Sequence, residues 1–271
     1  MKKYFKKFSI ELFSAWILAI FWISPLIYAF WAAFHPNEYA INFNIFAPLT
    51  LDNFIEAWNQ APFARYFFNT FLIVTSILIA QFIVCTLAAF AFARYKFVGN
   101  NILFAVILIQ LMIVPEVLIV ENYKIMTNLN MVDTILGVGL PYMASAFGIF
   151  LLRQTFKTIP KELEEAARVE GCNLFGILLR VYVPLAKPTY LAYALVSVSY
   201  HWNNFLWPLV ITNSVNTRPL TVGLAIFGAP ESGVNWSVIS AATLLSVSPL
   251  LLGFILFQKQ FIQSFMYAGI K

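Results

Sequence analysis

Phe67 to Ala93 reads FFNTFLIVTSILIAQFIVCTLAAFAFA, with neither acid nor base along its length. A helix rises about 1.5 Å per residue, so about 20 apolar residues cross the roughly 30 Å hydrocarbon layer of a bilayer. This stretch is long enough to cross and too apolar to face water. Working outward, the same ruler finds Leu12 to Phe34, Ile102 to Val120, Thr134 to Leu152, Thr189 to Ile211 and Trp236 to Phe257. The expected fold is therefore all-α: a polytopic membrane protein with six transmembrane helices, forming a single transmembrane domain over residues 1–271.

Composition agrees. The chain is 61% hydrophobic and only 11% charged, with a mean hydropathy of +0.79. Soluble domains carry about 25% charged residues. The charge here is too sparse to coat a water-facing surface.

A net charge of +5 could suggest nucleic acid, but the cations lie in short stretches between apolar runs, so no nucleic-acid partner is expected. Their placement follows topology. With the N-terminus inside, 14 of the 17 Lys and Arg fall on the cytoplasmic side, leaving Arg65, Lys124 and Arg218 outside. By the positive-inside rule both termini are then cytoplasmic. The first run follows Lys2, Lys3, Lys6 and Lys7. It exceeds the roughly 7–15 apolar residues of a signal peptide and has no convincing small-x-small site before Pro36, so a retained span is expected.

Cys85 lies in an apolar run and Cys172 in a polar loop, which gives neither metal-ligand spacing nor a disulfide framework. His35 and His201 are equally isolated, so no metal site is expected. Pro25, Pro115, Pro141, Pro208 and Pro249 fall within the runs. They predict breaks or kinks, which membrane helices tolerate where neighbours or cavity water satisfy the freed carbonyls. Helices kinked around a pathway and ordinary helix packing both account for them.

The polar segment 157–184, between the fourth and fifth runs, has its own helix grammar. Pro160 suits a first turn, and Glu162, Glu164 and Glu165 sit near the positive end of a helix. Gly171 stands where a left-handed stop belongs. Asn173 can cap a second helix from Leu174 to about Tyr182, which Pro184 is expected to end. The segment thus reads as a cytoplasmic helix–turn–helix along the membrane surface. Leu163, Ala166, Ala167 and Glu170 share a face at i, i+3, i+4 and i+7, with Glu165 and Arg168 beside it. Such a small, close-fitting knob suits a socket on another protein. The alternative is a helix lying on lipid headgroups, which four glutamates (162, 164, 165, 170) oppose because anionic lipid repels them.

At this loop the chain resembles the EAA signature of ABC-importer permeases. Glu165-Ala166-Ala167, Gly171, Val181, Val183 and Pro184 stand at the family's spacing, with valine where Ile and Leu are usual. Glu170 replaces the more frequent Asp, and Cys172 the common Ala. Ile159-Pro160-Lys161-Glu162-Leu163, Trp202-Asn203-Asn204-Phe205-Leu206-Trp207-Pro208, and the tail Gln260-Phe261-Ile262-Gln263 to Ala268-Gly269 are similar to the carbohydrate-uptake branch. That branch includes the maltose-type and glycerol-3-phosphate-type permeases.

The resemblance implies a bacterial inner-membrane subunit paired with a second, similar permease, two ATPase subunits and an extracytoplasmic solute-binding protein. It implies ATP-driven alternating access and assigns coupling to the loop residues Glu162, Glu165, Ala166, Ala167, Arg168, Gly171 and Pro184. ATP and Mg would bind the ATPase, with no cofactor on this chain. Consistently, no glycine is followed by lysine, so the phosphate-binding Gly-Lys-Ser/Thr loop is absent and the chain is not expected to be an enzyme.

Candidate pathway residues are Tyr200, Trp202, Asn203, Asn204 and Trp207 in the fifth run, with His201 among them. Polar groups at membrane depth usually face a cavity or a partner helix, and aromatic faces with amides suit a polyhydroxylated ligand. Interfacial anchoring of Trp and Tyr, or helix bridging by Asn, would explain them equally. Gln81, Gln110 and Glu116 are further polar positions, and Glu116 is expected at a solvated helix end. No Lys or Arg falls within the runs, which favours a neutral sugar over glycerol-3-phosphate or another phosphorylated polyol.

An ion-coupled carrier would be expected to show intramembrane ion groups and internal repeats. A membrane enzyme would gather His, Asp or Glu near the bilayer surface. Neither pattern is visible. Amino-acid or metal importers of the same superfamily fit the fifth run and tail less well.

Overall fold

The computed structural model describes the backbone of residues 2–44, 46–228 and 234–269, and the side chains of 10–44, 46–225, 227 and 234–258. The side chains of Lys2, Lys3, Lys6, Lys7, Lys259 and Lys271, and of the tail from Gln260 to Gly269, lie outside that set. Every regular element among the described residues is helical: α1 (Lys2–Ala33), α2 (Asn37–Asn42), α3 (Asp52–Gln60), α4 (Phe63–Arg94), α5 (Asn100–Ile109), α6 (Ile119–Asn128), α7 (Ile135–Gly139), α8 (Ala146–Thr158), α9 (Lys161–Val169), α10 (Leu174–Ile177), α11 (Val183–Leu185), α12 (Lys187–Trp202), α13 (Leu206–Ile211), α14 (Leu220–Leu224) and α15 (Trp236–Gly269).

Among the described residues three helices are individually long and apolar enough to cross a bilayer: Ile10–Ala33 of α1, all of α4, and Trp236–Gln258 of α15. Two bent pairs raise the number to as many as five: Asn100–Met112 with Pro115–Asn128, bent by 94°, and Ile135–Tyr142 with Ala146–Thr158, bent by 49°. The runs expected at 102–120, 134–152 and 189–211 are therefore each divided rather than continuous. Pro25 and Pro249, by contrast, lie inside unbroken helices.

Side chains repair the divisions. Val114, preceding Pro115, is extended as that position favours, and the helix restarts in a tight turn at Pro115. At the second bend Ser145 caps α8 by accepting from the Gly148 amide, and the Ala146 amide donates to the Gln110 carboxamide. In the fifth run, Pro208 lacks the N–H that would bond the Asn204 carbonyl, and the Thr221 hydroxyl donates to that carbonyl instead at 2.7 Å. Such satisfaction is what allows broken helices in an apolar environment.

Two compact units are present, residues 1–63 with 224–249 and residues 64–223 with 250–271. In the first, the Asn53 amide donates to the Ala33 and His35 carbonyls at 2.9 Å each, and His35 Nδ1 meets the Trp31 carbonyl at 2.6 Å. His35 thus finishes the end of α1. The second unit holds two apolar clusters. One gathers Cys85, Phe90, Phe104, Leu152, Phe156 and Tyr182 with Ala167 of the polar loop, and the other gathers Ile73, Ile77, Val138, Trp207 and Ile211.

Arg153, one residue past the run expected at 134–152, belongs to α8, which runs on to Thr158. Its guanidinium lies 3.8 Å above the Phe104 ring while its Nε donates to the Phe92 carbonyl. Asp133, just before α7, fastens the loop that follows α13. That carboxylate accepts from the Asn213 and Ser214 amides at 2.9 and 3.1 Å and from the Thr217 hydroxyl.

Candidate functional site

The 157–184 segment folds as a helix–turn–helix with one correction at its end. The first helix, α9, closes in a Schellman stop: the Cys172 amide donates to the Ala167 carbonyl and the Gly171 amide to the Arg168 carbonyl. Gly171 has φ +84°, and a Cβ built there meets nothing within 4 Å. The glycine is required by backbone conformation, not by crowding. Asn173 caps α10 by accepting from the Gly176 amide at 2.7 Å.

Pro184 does not end this helix at Tyr182. The chain widens into a π turn over Leu178–Tyr182, the Val183 amide reaches back to the Leu178 carbonyl, and α11 carries Pro184 on to Leu185. An i→i+5 turn absorbs the register change that an interior proline demands and turns Tyr182 fully inward.

The expected shared face of α9 is only partly correct. Ala167 is 8% exposed and packs into the Cys85–Tyr182 cluster. Leu163, Ala166 and Glu170 face outward with Glu162, Glu165 and Val169. The outer face is thus small at Ala166, apolar at Leu163 and Val169, and acidic at its edges.

Glu164, on the inner face, holds the helix in place. One oxygen accepts from Arg94 Nε at 2.9 Å and from the Tyr182 hydroxyl at 2.8 Å, and the other from Arg168 at 2.7 Å. The side chains of Arg94 and Glu164 are 7% and 14% exposed. Arg94 also stands 5.0 Å above the Tyr182 ring. Burial pushes the Glu164 carboxyl up, but the hydrogen bonds from Tyr182, Arg168 and Arg94 outweigh it and hold the group below the ordinary carboxylate range. Arg168 therefore serves the inner face as well as the flank. Sequence reading passed over Glu164, although its i+3 relation to Ala167 and i+4 relation to Arg168 were visible.

A cavity of about 410 Å³ opens between α4, the 110–118 bend, the turn after α7, and α12. Gln81, Gln110, Ser145, Ser197, Tyr200 and His201 line it. Gln81 donates to the Tyr142 carbonyl at 2.8 Å and meets His201 Nε2 at 3.3 Å, while accepting from Ser197 at 2.6 Å. The buried Nδ1 of His201 has no hydrogen-bond partner among the described residues. Gly148 permits the close packing of α8 and α12 here, for an added Cβ would stand 2.7 Å from the Tyr193 ring.

Of the pathway residues read from sequence, Tyr200 lines the cavity and Asn204 borders a separate water-sized hollow that His201 also lines. Glu116, exposed, follows the lining residue Pro115 at the 94° bend. Asn203 points elsewhere, donating to the Ser199 carbonyl one turn back. Trp202 packs near Phe67, with ring centroids 6.4 Å apart. Trp207 is 2% exposed and its indole donates to the Val138 carbonyl, so it is a core residue.

Apolar helices broken around a cavity whose largely apolar wall carries a few polar side chains, with an amphipathic loop fastened at one end, define a membrane transport permease. Residues 84–266 match the binding-protein-dependent transport system inner membrane component family, and the chain belongs to it. It is 34% identical over 260 residues to the arabinooligosaccharides transport system permease protein AraQ of Halalkalibacterium halodurans, covering 94% of this chain and 93% of that one. It is also 34% identical over 231 residues to the sn-glycerol-3-phosphate transport system permease protein UgpE of Shigella flexneri, covering 80% and 82%. The fold matches a chain of a bacterial ABC transporter involved in the import of the acidic polysaccharide alginate, with a TM-score of 0.83, 22% identity, and coverage of 92% of this chain and 94% of that one.

Proposed function

We propose that this chain is one of two permease subunits of an ATP-driven importer that moves a neutral sugar or oligosaccharide by alternating access. The observation that carries the reading is the outward face of α9, formed by Leu163, Ala166 and Val169 with Glu162, Glu165 and Glu170, on a loop fastened to the transmembrane unit. Two ATPase subunits, which bind ATP and Mg, engage this face and the face of a second permease. Their closure moves the loops together as rigid bodies and reopens the cavity toward a solute-binding protein. Glu162, Glu165 and Ala166 make the contact; Ala167, Arg168, Gly171 and Pro184 shape the loop beneath it.

The chain crosses the bacterial inner membrane six times as a single domain, with α12 and α13 forming the fifth, broken span. Both termini are cytoplasmic. Residues assigned outside by charge (Arg65, Arg218) are bonded around the 213–218 loop, whereas Arg94 and Arg168, assigned inside, meet at Glu164.

A neutral solute is favoured because the lining of the 410 Å³ cavity contains no Lys or Arg among the described residues, whereas the amides and hydroxyls in it suit sugar hydroxyls. This aligns the chain with its arabinooligosaccharide relative more than with its glycerol-3-phosphate relative. Purification of the tagged chain from membranes tests the assembly: an ATPase and a second permease should accompany it. A chain that transports alone, without ATP, contradicts the reading. Uptake by cells lacking the chain should fail for a neutral oligosaccharide and continue for glycerol-3-phosphate; the reverse pattern overturns the assignment of solute.

A further inference from the structure

We infer that Glu164, together with Arg94 and Tyr182, is the fastening through which motion of the loop reaches the transmembrane helices; it is a positioning residue, distinct from the docking face. The inference rests on the coupling reading above. Docking residues on the outside of α9 can push on a partner, but a push moves the helices only if α9 cannot roll or slide on its own chain.

The inner face of α9 offers little to prevent that. Ala167 is the only hydrophobic residue of the helix that is buried among the described residues, and alanine presents just a methyl group. Glu164 supplies what packing does not. Its two oxygens join three elements in one cluster: Arg94 at the last residue of α4, Arg168 one turn along α9, and Tyr182 at the end of the π turn. Arg94 further reaches toward the Ile159 carbonyl, where the chain enters α9.

The directions are complementary. Arg94 draws α9 toward the long helix α4, while Tyr182 ties it to the segment that continues through Pro184 into α12. Tyr182 is itself held edge-on by Phe90 and Phe156, with centroids 5.0 and 5.3 Å away. Displacement of α9 is thereby shared between α4 and α12, the two helices that supply Gln81, Ser197 and His201 to the cavity. The charge-assisted geometry fixes orientation in a way that an alanine methyl cannot.

The test uses the full chain in its purified complex, with Glu164→Gln, Arg94→Gln and the double variant. ATPase content should match that of the unaltered complex, while solute moved per ATP hydrolysed falls roughly tenfold in each single variant, within the usual range of coupling between sites. The double variant should be no worse than the poorer single one, and Arg94→Lys should recover part of the loss. Independently, a spin label at Val169→Cys, in a chain carrying Cys172→Ala, should become more mobile when Glu164→Gln is added. This second arm needs no ATPase, so it decides the fastening even if the coupling reading fails because no ATPase accompanies the chain. Unchanged transport per ATP with unchanged label mobility overturns the inference. Loss of the ATPase from the Glu164→Gln complex also overturns it, because Glu164 would then be a contact of the partner.

Discussion

The 157–184 loop and the cavity beside α12 both bury polar side chains, but they dispose of them differently. In the loop, Arg94, Glu164, Arg168 and Tyr182 are charged or strongly polar groups bonded to one another across three elements. In the cavity every lining side chain is neutral, and Gln81, Ser197 and His201 form a network that holds no acid–base pair. The first arrangement holds one geometry against force. The second sets a few neutral hydrogen-bonding groups in a largely apolar wall, as suits a passenger that must bind and then leave. Stiffness and reception are thus separated along α4 and α12.

Substitutions should expose the difference. The largest loss of stability is expected from the double variant Arg94→Met, Arg168→Met, which leaves a largely buried carboxylate without a cation and should cost about 3–5 kcal/mol, read as a lowered unfolding temperature of the purified chain. Gln81→Leu removes partners from Ser197, His201 and the Tyr142 carbonyl without stranding a charge. A smaller cost is expected, about 1–3 kcal/mol in all because the neighbouring cavity has room for water, and a fall as large as that of the double variant would erase the contrast.

Gly171→Val forces a β-branched residue into a left-handed conformation, at about 1–2 kcal/mol, and should reduce transport per ATP. Since nothing crowds the position, Gly171→Asn should retain most of that function; equal damage from Asn and Val would point to a steric cause instead. Glu165→Ala, on the exposed face, should change unfolding by no more than about 0.5 kcal/mol while lowering transport.

The smallest effect concerns Asp133. Burial pushes its carboxyl up, but the Thr217 hydroxyl and the Asn213 and Ser214 amides prevail and hold it at about 2. Its contribution is complete above the ordinary Asp value of about 3.9 and disappears as pH falls through the folded value. A spin label at Val215→Cys should therefore stay ordered at neutral pH and loosen only as the pH approaches 2.

Much of the loop was legible because its signals are local. Gly171 and Asn173 act through their own backbone neighbours, and spacing alone located them. The spans were legible as apolar runs, but their divisions were not. Whether a proline breaks a helix depends on what receives the freed carbonyl: Pro208 is matched by Thr221, 13 residues away in sequence, while Pro25 stays within an unbroken helix. The cavity was least legible for the same reason. Trp207 and His201 look alike in sequence as polar-edged rings in one apolar run, yet one packs against Val138 and the other meets Gln81. Glu164 was hidden among glutamates, and only the distant Arg94 and Tyr182 distinguish it from Glu162 and Glu165.

The most direct test of the coupling account is cross-linking from Ala166, at the centre of the outward face of α9. A cysteine introduced there should join, through a short bifunctional reagent in native membranes, to an ATPase subunit, and the yield should change when ATP is bound. Labelling of that cysteine by water-soluble or lipid-borne reagents alone, with no ATPase adduct in any nucleotide state, would contradict the account.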